Sequence, residues 1–477
     1  MTLKQKVVTS AKWITLANVF KQLLQIISLI IFARILSPDD FGVYAVLMIF
    51  VGFLGMFTDM GTSAVIIHLE NPSNKLLSSV FYFNVFVGIF LYIILTILSS
   101  YIALFFDMNI LKTLLPIIAI NFIITSFGVV QKALYEKNLD FKRISIIENI
   151  AVIISTIIGV ASALYGLGVY SLIIQSLTSS VLLVGLMWFI SGWRPLVFFS
   201  FDDIKSIWNY TANLSSFNII NYFARNADNF LIGKYLGSSA LGVYNLAYKI
   251  MLYPLQNISQ VLIRILFPAF SQIQNDNEKF KKAYKRVIFF IALVSFPIMA
   301  GLMAIADIFV TVLFGDKWQS LALILLILAP VGMMQSVVTT VGSLYMAKGK
   351  TKTMLNIGAI NSIVTVFSFI IGIQFGVEGV ALSYLLANII MLYPNLLIAW
   401  RQIGLTVSEG LKEIMPIFII SIILGIVVFM FGVFIKSVIT IQVVKLILMI
   451  SVGIVIYLVL LHIKYGSLRL LLGELKK

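Results

Sequence analysis

The sequence contains no cysteine, which excludes disulfides, thiolate metal sites and cysteine nucleophiles and leaves the redox compartment unread. Only two histidines occur in 477 residues, His68 and His462. They stand near opposite ends of the chain, so no imidazole-held metal and no cofactor is expected. Charge is scarce as well: Asp, Glu, Lys and Arg supply 11% of the residues, against about 25% in soluble domains. Lys and Arg still outnumber Asp and Glu by 34 to 19, a formal +15. A nucleic-acid partner would need those cations gathered on one solvated face with interleaved aromatics. Here they sit singly between apolar runs, and no nucleic acid is expected.

What fills the chain is apolar residues, 61% of the total, well above the roughly 45–50% of a soluble domain. A helix crosses about 30 Å of hydrocarbon with about 20 residues, and fourteen runs reach that length. They fall at about 13–36, 43–67, 79–105, 111–132, 144–165 and 168–190, then 208–236, 241–270, 284–313, 319–347, 354–375 and 377–400, and last 411–435 and 442–464. The first run contains Lys21 and has no small-residue cleavage site, so it reads as a retained helix. The expected fold is all-α, a polytopic membrane protein of about fourteen transmembrane helices.

Basic residues mark orientation, because short cytoplasmic loops retain Lys and Arg. One alternate set of connections carries 24 of them and the opposite set carries 6. Both termini are therefore expected in the cytoplasm, with anionic membrane lipids attracting the basic loops.

The chain also repeats itself. Leu36, Gly42, Val43 and Tyr44 recur as Leu236, Gly242, Val243 and Tyr244 at a constant offset of 200. Leu134-Tyr135 returns as Leu344-Tyr345, and the turn opening at Gly166 returns at Gly376 with one residue inserted. A unit with an even number of helices enters the membrane in one direction both times, which suits two lobes around a central cavity. The expected organisation is an N-lobe over 1–190, a cytoplasmic amphipathic linker over 191–207, a C-lobe over 208–400, and two extra helices with a basic tail over 401–477.

Ionisable residues inside membrane helices cost at least ~2.5 kcal/mol on insertion scales and are functional candidates by default. Lys21, Asp59, Arg225, Asp228, Lys249 and Arg264 qualify. Lys21 and Asp59 lie at similar depth and are expected to pair or to form an ion-coupled switch. Asp228 is three residues from Arg225 on one face, so the two could satisfy each other; otherwise Arg225, Lys249 and Lys21 line the cavity and attract an anion. Arg264 is expected to snorkel to headgroups. The seventh run is rich in Asn, and Asn218 and Asn221 give it a polar face suited to water, sugar hydroxyls or interhelical hydrogen bonds. Gly349-Lys350-Thr351 resembles the end of a phosphate-binding loop, but Leu344 stands where its first glycine belongs.

Several stretches carry a family resemblance: RNADNFLIGKYLGSSALGVYNLAYKI from Arg225, YPLQNISQVLIRILFPAFSQIQND after it, FGDKW at Phe314, ARILSPDDFGVYA at Ala33 and YEKNLDFKR at Tyr135. Through them the chain resembles the polysaccharide-transporter branch, the Wzx-like flippases, of the multidrug, oligosaccharidyl-lipid and polysaccharide exporter superfamily. The resemblance implies two six-helix lobes plus two helices in a bacterial cytoplasmic membrane. It also implies transport of an undecaprenyl-pyrophosphate-linked oligosaccharide to the outer leaflet, with an apolar groove on the last two helices for the lipid tail. Polymerase and glycosyltransferases of the same pathway would be its partners. Two alternatives remain open: a cation-coupled multidrug antiporter, which would place acidic residues in the cavity, and a membrane polysaccharide polymerase, which would need convergent His or carboxylates.

Overall fold

The computed structural model describes residues 3–59, 61–255, 270–436 and 439–466, with side chains in them except at 3–16, 18, 206–221 and 224. The described residues form α-helices joined by short turns. In chain order these are α1 (Leu3–Ile35), α2 (Pro38–Asp59), α3 (Thr62–His68), α4 (Asn74–Phe106), α5 (Leu111–Ser126), α6 (Val129–Lys137), α7 (Phe141–Leu164), α8 (Tyr170–Ile190) and α9 (Phe201–Tyr235). Then come α10 (Gly237–Pro254), α11 (Asn277–Leu313), α12 (Gln319–Val338), α13 (Thr340–Ala347), α14 (Thr351–Gly372), α15 (Gly376–Arg401), α16 (Val407–Phe434) and α17 (Gln442–Tyr465).

The solvent these helices expect is legible on α4. Phe86, Phe90, Ile93, Ile97, Tyr101 and Leu104 recur every three or four residues and are all exposed. The opposite stripe, Leu77, Phe81, Asn84, Gly88, Leu91 and Leu95, is buried. A face of large apolar side chains turned outward along a whole helix belongs against lipid, not water. Among the described residues nine helical stretches are long and apolar enough to cross a membrane, or ten if the pair α5 and α6, bent by 44°, is one span. One of the nine, Thr351–Arg401, runs 51 residues, or about 77 Å at 1.5 Å per residue. It is broken at Ile373–Phe375 into α14 and α15, which pack on each other. α1, α9 and α10 are not among the nine. The chain is a polytopic all-α membrane protein.

Several expected boundaries move. The second run is two helices, because Gly61 turns the backbone with φ 79° between α2 and α3. The fourth is split into α5 and α6, and the tenth into α12 and α13. These two breaks fall at equivalent places in the repeat, each shortly before its Leu-Tyr pair, which adds a structural match to the sequence one. The linker expected over 191–207 is non-helical only to Ser200, since α9 begins at Phe201. It is strapped to α4: the N–H groups of Leu196 and Ser200 donate to the hydroxyls of Ser78 and Ser79 at 2.8 and 3.1 Å. Arg194 donates to the carbonyls of Trp188 and Ser191 at the end of α8.

By packing, the chain divides into two compact units, 1–242 and 243–477. The repeat would instead divide it between the sixth and seventh runs. The two criteria differ because α9 packs along α2 and α4 and so joins the first unit. In the second unit α11 is the longest element at 37 residues, about 55 Å, so it must extend beyond the hydrocarbon. Its basic first turns are held by α16, through Lys281 to Glu409 at 3.0 Å and Lys285 to Glu413 at 2.9 Å. At the cap of α11 the N–H of Lys279 donates to Asp276 and holds its carboxyl below the usual carboxylate range.

Within the first unit the repeated Gly42 and the first turn of α10 explain each other. A Cβ on Gly42 would sit 1.7 Å from the carbonyl oxygen of Ser238, and one on Gly242 would sit 1.9 Å from that of Pro38. Each helix start presses its backbone onto the glycine of the other. Asp39 accepts a hydrogen bond from the Ser238 hydroxyl at the same place. Gly42→Ala or Gly242→Ala should therefore force the two helix starts apart, at a cost of roughly 1–3 kcal/mol. In detergent-purified protein each is expected to lower the thermal unfolding midpoint by several degrees. Gly55→Ala, which would meet nothing within 4 Å, is expected to leave it in place, and three equal midpoints would refute the close-approach account.

Candidate functional site

α1 meets α7 along its length, and the contact brings Lys21 to Glu148, Nζ to Oε2 2.9 Å, with side chains 31% and 23% exposed. Lys21 lies fourteen residues before the end of α1 and Glu148 seven residues after the start of α7. At 1.5 Å per residue these are about 21 Å from one side and about 10 Å from the other. The two sum to the thickness of the hydrocarbon, so the pair is embedded and level. The expected pairing of Lys21 with Asp59 is not what forms. Asp59 instead ends α2 and caps α3, accepting the Thr62 hydroxyl at 2.7 Å and the N–H of Ser63 at 2.8 Å. Asn84 donates to Thr62 at 3.0 Å behind it. The carboxylate thus repairs the backbone at the Gly61 break.

Arg225 and Asp228 do not pair either. Arg225 is exposed and has no ion pair or hydrogen bond among the described residues, whereas Asp228 is 2% exposed and accepts the N–H of Asn229 at 2.8 Å. One turn before Arg225, Tyr222 fixes α9 to α2. Its hydroxyl donates to the carbonyl of Ile49 at 2.7 Å, in room left by Gly52, and its ring packs with Phe53. Tyr222 therefore sets where Arg225 is presented. The side chains of Asn218 and Asn221, the expected polar face, lie outside the described ones, as does the whole of Arg264.

In the second unit Lys249 is exposed on α10 while Leu246, Ala247 and Met251 around it are buried. It too has no ion-pair partner among the described residues. Its chain neighbour Tyr248 belongs to a neutral polar group. The Gln335 amide on α12 donates to the Tyr384 hydroxyl on α15 at 2.5 Å, and the hydroxyls of Tyr248 and Tyr384 are 3.4 Å apart. Asn388 follows one turn on, with its carbonyl 3.4 Å from the same amide. Asn361 and Asn395 exchange two hydrogen bonds between α14 and α15, at 2.8 and 3.1 Å. Sequence reading missed Glu148, Tyr222 and this Tyr-Gln-Asn group. Amides inside apolar runs were the available signal for the last.

Chemically, an accessible and unpaired guanidinium or ammonium inside a membrane protein favours an anionic group, and neutral amides with phenols supply donors and acceptors for hydroxyls. The two kinds of cation should respond differently to truncation. Lys21→Ala or Glu148→Ala strands a half-buried charge and should cost roughly 1–3 kcal/mol of stability. Arg225→Ala and Lys249→Ala are expected to stay within about 0.5 kcal/mol of the parent protein. Unfolding midpoints of the four purified variants check this, and a large loss in Arg225→Ala would mean a partner holds that side chain.

A profile described as "Polysaccharide biosynthesis protein" matches residues 31–323. The chain is similar to the lipopolysaccharide biosynthesis protein WzxC of Escherichia coli (strain K12), with 29% identity over 438 residues covering 90% of this chain and 89% of that one. It is also similar to the teichuronic acid biosynthesis protein TuaB of Bacillus subtilis (strain 168), with 27% identity over 436 residues covering 90% and 89%. Among solved structures, the lipid II flippase MurJ in an inward closed conformation superposes with a TM-score of 0.76 at 19% identity, covering 94% of this chain and 98% of that one. At that identity the likeness is one of fold.

Proposed function

Because the chain belongs to the polysaccharide biosynthesis protein family, we propose that it is a flippase, carrying a polyprenyl-diphosphate-linked oligosaccharide across the cytoplasmic membrane of a bacterium for assembly of a surface polysaccharide. The observation that carries this reading is the pair of exposed cations without ion-pair partners among the described residues, Arg225 on α9 and Lys249 on α10, both within apolar runs of the sequence. A guanidinium matches phosphate oxygens two at a time and an ammonium serves as a point charge. A carrier of cationic drugs would offer unpaired carboxylates instead; here Glu148 is neutralised by Lys21 and Asp59 is spent on a helix cap.

In this proposal Arg225, Lys249 and Lys21 handle the diphosphate, Asn218 and Asn221 the sugar hydroxyls, and Asp228 is a candidate for ion coupling. Fourteen crossings with both termini in the cytoplasm agree with the 24-to-6 distribution of basic residues. The protein then moves its substrate without making or breaking covalent bonds, and works between glycosyltransferases that build the lipid-linked unit and a polymerase that consumes it.

Orientation is testable directly, since the native chain lacks cysteine. A cysteine replacing the exposed Tyr165, in the α7–α8 turn, is expected to react with an impermeant maleimide added outside intact cells. One replacing Ser408 at the start of α16 should react only with a permeant reagent, and the reverse pattern would overturn the topology. For the function, depletion should make the lipid-linked oligosaccharide inaccessible to an externally added glycosidase and stop the polymer. Arg225→Ala and Lys249→Ala should do the same at normal membrane levels. Unchanged accessibility with lost polymer would place the defect in polymerisation and reject the flippase.

A further inference from the structure

The ion pair between Lys21 and Glu148 is embedded and yet held by little; Lys285 with Glu413 is as bare, at 2.9 Å, but lies near the end of α11 that extends beyond the hydrocarbon. Glu409, paired with Lys281, also accepts the N–H and the hydroxyl of Thr406, both at 3.0 Å. Lys234, paired with Asp107, also lies over the ring of Phe105. Lys21 and Glu148 have only each other among the described residues, through one oxygen at 2.9 Å. An embedded pair kept for stability needs further hydrogen bonds on its remaining lone pairs and protons. This one leaves two ammonium protons and one carboxylate oxygen uncommitted, and a quarter to a third of each side chain open.

We propose that Glu148 is an exchangeable counter-anion, which occupies Lys21 in the empty carrier and gives it up to the anionic head group of the cargo. This rests on the reading of the protein as a carrier of a diphosphate-headed lipid. The exchange keeps the membrane interior near neutrality at every stage. An unpaired lysine about 10 Å inside the hydrocarbon would be costly, and Lys21 never stands alone if a carboxylate holds it before loading and after release. A diphosphate brings more charge and more oxygens than one carboxylate, so it displaces Glu148; a single lysine forms no rigid fork and changes partner without a geometric penalty. Glu148 thereby sets how tightly the head group is held and helps expel it. Without that competitor, loading would be tighter and release slower.

The test uses the full-length protein in lipid-detergent micelles, with geranylgeranyl diphosphate as the probe and geranylgeraniol as its uncharged control. Glu148→Gln is expected to bind the diphosphate at least about threefold more tightly than the parent protein while exporting more slowly in cells. Lys21→Gln and the double variant Lys21→Gln, Glu148→Gln should bind it more weakly, and geranylgeraniol should bind all four proteins alike. Glu148→Asp keeps the charge on a shorter arm and should shift affinity in the same direction as Glu148→Gln, which covers a failure of the latter to reach the membrane. Unchanged diphosphate affinity in both Glu148 variants, with weaker binding in Lys21→Gln, would overturn the exchange and leave the flippase reading standing. A parent protein that does not distinguish diphosphate from alcohol would overturn both.

Discussion

In hydrocarbon a backbone N–H or C=O that leaves its helix finds no water, and each unsatisfied group costs several kcal/mol. That constraint makes most of the described chain helical, and it makes every interruption inside the hydrocarbon expensive. Three of the breaks carry a repair. At Gly61 the carboxylate of Asp59 takes the N–H of Ser63. At the α5–α6 bend the indole of Trp188 donates to the carbonyl of Phe127 at 2.7 Å. At the α12–α13 break the hydroxyl of Thr340 donates to the carbonyl of Val337 at 2.7 Å. Polar side chains in this protein serve the backbone first, and only the remainder is free for a ligand.

The same accounting sorts the charges. Asp59 is consumed by a cap, Lys21 and Glu148 cancel, and Lys281 and Lys285 anchor the end of α11 outside the hydrocarbon. Among the described residues Arg225 on α9 and Lys249 on α10 are left as exposed cations without an ion pair. A residue that costs energy where it stands and repairs nothing nearby is the kind that function retains. Tyr222, seated in the space of Gly52, shows how the fold supports one of them without touching its charge.

Hydropathy made the fold class and most helix positions legible, because apolar length reports directly on the surrounding solvent. It could not report the breaks, since a run reads as continuous whether or not Gly61 turns the chain inside it. Depth along a helix was legible too, and it put Lys21 level with an acid. Choosing between Asp59 and Glu148 needed to know that α1 lies on α7, which depth does not encode. Glu148 falls inside the expected fifth run, close to its start, and the earlier start of α7 at Phe141 sets it deeper. Arg225 and Lys249 were visible as cations inside apolar runs of the sequence, but that neither has an ion-pair partner among the described residues is a property of the packed structure.

The glycines at 42 and 242 carry one more consequence. After a duplication, two copies of a segment are free to diverge wherever they meet different neighbours. Here the neighbour of each helix start is the other copy, carbonyl against glycine in both directions. A side chain added to either one strikes the backbone of its twin, so no change confined to one copy can be absorbed by the other. Most of the two repeats has drifted apart in sequence, and at this crossing the same glycine is kept in both because each copy sets the space of the other.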